Sequence, residues 1–337
     1  LDTAAPAPAV TAERAAEPDC PAEVRAWAGQ SDAALGSMAD AAQARALARA
    51  SAVLGASAND FERAIGQMLL HPPAQWAEGF SAQAVRPVIE GALGSRDPRL
   101  VALAHQLCSQ GDRSGEGDCT RDLARHWAAL EPDNLHAWLA VAQDATARND
   151  LPAALAALSR AATSSDSRLL WGQAQGLIAR PALRGGSPME DVALAVELAN
   201  IESIADLSSL GSLMTLCSVD AVQDGERLAA CRAIAGTMIE RSRTLIEQGM
   251  AIAVARRTGW APERIEQVSA EHDRLRHAFF SALPRLPNQD GPITVAQACE
   301  AHRSLRWMLA HAASGNEIES ARRLLARGNE ASHALPR

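Results

Sequence analysis

The chain has 337 residues, 47% of them hydrophobic, and a formal net charge of −8. That length holds roughly two domains of core, and that charge is a poor match for a nucleic-acid backbone. All 32 basic residues are Arg and no Lys occurs, which excludes Schiff-base catalysis, a P-loop and a protein-kinase phosphate clamp.

Residues 1–21 are rich in Ala and Pro and lack apolar periodicity, as a flexible tether does. A chain opening at Leu1 is expected to have lost a signal peptide or a tag. Beyond the tether almost every segment carries a helical period, and no stretch sustains strand alternation. The patterns predict helices near 22–30, 39–55, 59–70, 82–94, 98–110, 119–130, 135–148 and 151–163. They continue near 166–180, 189–204, 207–218, 225–243, 245–258, 262–283, 293–313 and 316–327. Asp97-Pro98, Ser187-Pro188 and Ala261-Pro262 place Pro at helix starts. Gly315 and Gly328 mark stops. Pro87 implies a kink or a later start in its segment. The fold class is therefore all-α. A hairpin array over 22–245 is followed by a subregion of longer, more charged helices over 246–337. The longest uncharged candidates, 64–77 and 207–219, fall short of the ~18 residues of a membrane span.

Cys108 and Cys119 flank a polar, Gly-rich loop between two helical runs, and Cys217 and Cys231 do the same around another turn. Each pair is expected to staple a helical hairpin. Cys20 and Cys299 remain, either paired or free. No CxxC motif is present. Structural staples persist in an oxidising compartment, so a periplasmic or secreted protein is expected. The loop Asp112–Asp118 alternates oxygen ligands as an EF-hand does, but its twelfth position is Leu123 rather than a bidentate Glu. A polar surface loop is the expectation.

From Leu135, Trp138, Ala142, Ala154 and Ala161 stand at the large and small positions of a 34-residue unit. The segment 135–168 resembles the tetratricopeptide repeat, and the preceding pair, from 98, ends on the same Pro placement at Pro132. Ala145 and Asp166 depart from the family pattern. The resemblance implies stacked antiparallel helical hairpins in an irregular array, and a groove that binds other proteins.

Neither GxSxG nor HExxH occurs, and no reading calls for a cofactor. Nine His are scattered along the chain. His272 and His302 lie on apolar stripes that an antiparallel hairpin about 283–292 would set level, which makes them a candidate metal or proton-sensitive node. Polar positions on first helices, His136, Gln143 and Arg148, are the candidate partner contacts. The function expected is a non-catalytic protein-binding module of the bacterial periplasm or envelope. An inhibitor or immunity protein against a basic secreted toxin is one form, and an envelope-assembly adaptor is another. An enzyme with a dispersed acid/base site is the alternative.

Overall fold

The computed structural model describes residues 20–30, 32–70, 82–111, 118–170, 173–203, 208–282 and 293–333. The tether, apart from Cys20 and Pro21, and most of the loop 112–118 lie outside them. The protein is all-α. The described residues form helices α1 (Ala22–Arg25), α2 (Asp32–Gly55), α3 (Asp60–Met68), α4 (Ala82–Leu93), α5 (Pro98–Gly111), α6 (Asp118–Leu130), α7 (Leu135–Ala147) and α8 (Leu151–Ala162). They continue as α9 (Gln173–Leu183), α10 (Pro188–Ser203), α11 (Ser208–Leu216), α12 (Gly225–Arg241), α13 (Leu245–Arg257), α14 (Pro262–Ser281), α15 (Val295–Ser314) and α16 (Glu317–His333). Among them no helix is long and apolar enough to cross a membrane.

Local chemistry sets the ends. Asn134, Asp150, Asp224 and Thr244 cap α7, α8, α12 and α13 through side-chain oxygens that accept first-turn amides. A full capping box, Thr294 with Gln297, opens α15, and left-handed Gly315 closes it. Pro87 falls within α4, which starts at Ala82, so no later start occurs.

Sequence neighbours pack on one another through most of the chain, as α4 does on α5, α5 on α6, α6 on α7, α7 on α8 and α12 on α13. The α7–α8 contact is built from Ala142, Ala145, Ala154, Ala157 and Ala161, all buried. Small side chains let two helix backbones approach closely. Two large cores result. One joins α2–α6 to α9, α10 and α15, the other joins α8 and α11–α13, and α7 serves both, with Ala137 and Ala140 in the first, Leu135 and Leu139 in the second and Trp138 and Val141 adjoining each. Helix α15 also reaches back to α1, where Val24 and Trp27 cluster with Ala298 and Cys299.

All three cysteine pairs are disulfides. Cys108–Cys119 joins α5 to α6, and Cys217–Cys231 joins the end of α11 to α12. Cys20–Cys299 joins the segment before α1 to α15.

Two predicted features are corrected. Gly328, expected as a stop, lies inside α16, which runs on to His333. The segment near 166–180 was expected to be helical throughout, but α9 begins at Gln173. Residues 164–170 instead form an extended strap. Its backbone is taken by the α6–α7 turn: Leu135 N donates to Asp166 O at 3.0 Å and Asp166 N to Asp133 O at 3.0 Å. Amides engaged this way cannot serve a helical ladder.

Candidate functional site

A cleft of about 470 Å³ opens where the start of α5, the end of α6, the strap and the α12–α13 turn converge. Arg96, Arg99, Arg168 and Arg243 line it against only two carboxylates, Asp97 and Glu131, with Trp127, Leu170 and Ala102 as its apolar wall. In a chain of net charge −8 this is a local reversal of sign.

Each arginine is placed differently. The Arg99 guanidinium lies over the ring of buried Phe61, 5.1 Å from its centroid, and its Nη2 donates to Asp97 at 2.8 Å. Burial raises the Asp97 carboxyl, but the hydrogen bonds and charge of Arg99, with help from Asn59, outweigh this and hold it below its ordinary value. Arg168 reaches Glu131 at 3.2 Å and Asp166 at 2.5 Å. Glu131 is fixed in turn, since Trp127 Nε1 donates to its Oε2 at 2.8 Å and Asn134 Nδ2 at 2.9 Å. Arg96 and Arg243 are exposed and, among the described residues, pair with no carboxylate. Two fixed, partly neutralised guanidinium groups and two free ones make an anion-binding surface. A narrow inner cavity shares Trp127, Ala102 and Leu170 with the cleft and adds His105, Gln106, Gln143 and Ser209.

Behind the strap lies a buried polar cluster. His136 Nε2 is 2.6 Å from Glu247 Oε1 and 3.1 Å from Ser167 Oγ, and Ser167 Oγ donates to the same Glu247 oxygen at 3.1 Å. Thr244 Oγ1 donates to Glu247 Oε2 at 2.8 Å. Burial pushes the Glu247 carboxyl up. The attraction of His136 and the hydrogen bonds from His136, Thr244 and Ser167 outweigh it and hold the group below the carboxylate range. The residue types are those of a hydrolase triad, but Ser167 and Glu247 meet the same ring nitrogen of His136. A triad needs its carboxylate and its nucleophile on opposite ring nitrogens. His136 and Glu247 are also wholly enclosed, so the two groups meet each other and their hydrogen-bond partners rather than the surface.

The expected contact residues separate. His136, anticipated as an exposed groove position, is fully buried, because the imidazole finds its partners inside, on the strap and α13. Gln143 is half-buried and lines the inner cavity. Arg148 is exposed at the end of α7 and pairs with Asp144 at 2.5 Å. The three do not form one surface.

The His272–His302 node is likewise not assembled. His272 Nδ1 is 3.1 Å from Gln248 Oε1 on α13, whereas His302 Nε2 is 3.6 Å from Asp191 on α10 and its ring meets Trp27. An antiparallel hairpin would set Phe279 level with residues near 296. Its ring instead meets Trp307 and His311, so the register needed for the node does not arise. Among the described residues no group of three or more His, Cys, Asp or Glu is placed to hold a metal ion.

Sequence reasoning did not find the cleft arginines. Arg96 and Arg99 flank the Asp97-Pro98 helix start, and Arg168 ends the repeat-like segment, so the signal was their clustering at helix ends. No family model matches the chain, and neither curated proteins nor solved structures give a match.

Proposed function

We propose that this is a non-catalytic binding protein of the bacterial periplasm or cell exterior that holds an acidic segment of another protein in the arginine cleft. The observation that carries this reading is the cleft's charge, four arginines against two lining carboxylates and Asp166 beside Arg168. Guanidinium forks pair with carboxylates in two parallel hydrogen bonds. The volume falls in the range of small-ligand pockets, about 300–1,000 Å³. Three disulfides support the compartment.

Calorimetric titration with a hexapeptide of alternating Glu and Leu tests the reading, with the Gln-for-Glu peptide as control. Binding of the Glu peptide alone is expected, weakening with salt and by about tenfold in Arg96→Ala/Arg243→Ala. Equal behaviour of the two peptides would overturn it. The net charge of −8 favours a second reading, an inhibitor or immunity protein steered onto a basic secreted enzyme. In that case a basic protein binds and Arg96→Ala/Arg243→Ala leaves its affinity unchanged.

A further inference from the structure

Two of the cleft arginines are chain neighbours of residues that Glu247 holds. Ser167 precedes Arg168, and Thr244 follows Arg243. The Glu247 carboxylate takes Ser167 with one oxygen and Thr244 with the other, at 3.1 and 2.8 Å. We propose that Glu247 is a positioning residue for the cleft: by bridging the strap to the α12–α13 turn it sets where Arg168 and Arg243 stand relative to each other. This rests on the reading of the cleft as an anion-binding site.

The geometry leaves few other ways to fix the turn. Arg243 contributes its carbonyl to Ile318 N at 3.2 Å, and its side chain is exposed and without an ion pair among the described residues. Thr244 caps α13 through the Glu247 amide at 3.2 Å while donating to the Glu247 carboxylate, so one residue sets both the cap and the bridge. On the strap side Arg168 is held twice, by Asn134 from the front and through Ser167 from behind. The charged groups facing Glu247 are His136 on α7 and Glu317 on α16. Glu317 accepts the Leu245 amide at 2.8 Å and so steadies the same turn. Burial, then the charge of Glu247, raise its carboxyl above the ordinary value against that hydrogen bond. Glu247 itself has no exposed side-chain surface, so it acts only through its neighbours.

The test pairs affinity for the Glu/Leu hexapeptide with hydrogen exchange of the ligand-free protein. Glu247→Gln keeps the shape and removes the charge that Ser167, Thr244 and His136 serve. Weaker binding by about tenfold is expected, with faster exchange over 164–170 and 243–247. The deciding readout is a double-mutant cycle. If Glu247 acts through the two arginines, Glu247→Gln costs no further affinity in an Arg168→Ala/Arg243→Ala background. A purely structural residue loses the same factor in both backgrounds, or lowers Tm while the folded protein keeps wild-type affinity, and either result overturns the proposal. Ser167→Ala, a milder change at the strap alone, carries the same cycle against Arg168→Ala should Glu247→Gln not fold. If the wild-type protein binds no peptide, the acidic-segment reading fails. The exchange measurement then tests the bridge itself, and unchanged protection in Glu247→Gln or Ser167→Ala overturns the positioning role.

Discussion

The Asn134 side chain clasps the backbone of Arg168. Its Oδ1 accepts the Arg168 amide at 3.1 Å and its Nδ2 donates to the Arg168 carbonyl at 3.0 Å. The same Oδ1 caps α7 through the His136 amide at 3.3 Å, and Nδ2 also meets Glu131. One fully buried amide thus joins the helix cap, the strap and the cleft wall.

Asn134→Ala takes the side-chain partner from three backbone groups, the buried His136 amide and the part-buried amide and carbonyl of Arg168. A loss of roughly 2–4 kcal/mol is expected. Asn134→Asp keeps the cap but cannot donate, and it sets a second carboxylate beside Glu131. Urea denaturation of both variants is expected to show substantial destabilisation, and hexapeptide affinity should fall with it because Arg168 loses its register.

The disulfides differ in leverage. Cys108–Cys119 and Cys217–Cys231 span 11 and 14 residues, while Cys20–Cys299 spans 279. In the chain-entropy model short loops contribute about 3 kcal/mol, and a loop of hundreds of residues about 5. The Cys20→Ser/Cys299→Ser protein should therefore lose more stability than either short-loop double variant. Non-reducing peptide mapping followed by thermal denaturation checks pairing and ranking together.

His311 carries an acid-sensitive contribution. Burial against Phe279 and Trp307 lowers its pKa to about 4 from 6.5. The unfolded chain then binds its proton first as pH falls, so stability drops between about pH 6.5 and pH 4. Glu247, held low, adds a loss only below the ordinary carboxylate range. Glu317, held high, has the opposite sign and costs stability as pH rises through that range. His311→Gln is expected to remove up to about 3 kcal/mol of the difference between pH 7 and pH 4. Urea midpoints of the two proteins at both pH values measure it. Parallel pH dependence would exclude the assignment.

Two glycines predict opposite signs. A Cβ at Gly66 would stand 2.7 Å from the Gly55 amide nitrogen and 3.1 Å from Leu54, where α2 and α3 close on each other. Gly66→Ala should destabilise by about 1–3 kcal/mol. Gly91 lies in α4 with nothing within 4 Å of its added Cβ. Gly91→Ala should stabilise by about 0.5–1 kcal/mol through helix propensity and a less flexible unfolded chain. Thermal melts of the two variants distinguish them directly.

Composition and helical period by themselves determined the all-α class and most helix positions, because these depend on residues three and four apart. Cysteine spacing determined the two local disulfides, since each flanks one turn. Cys20 and Cys299 stayed open in the sequence, because only folding brings residues so distant in the chain together. The tertiary structure alone decided the strap, where Asn134 outcompetes the helical propensity of 166–170. It also decided the fate of the histidines: His136 has its partners at Ser167 and Glu247, while His272 and His302 face different helices. The cleft follows the same rule. Its four arginines come from chain segments around 96–99, 168 and 243, and charge complementarity among such separate segments exists only once the packed helices fix their distances.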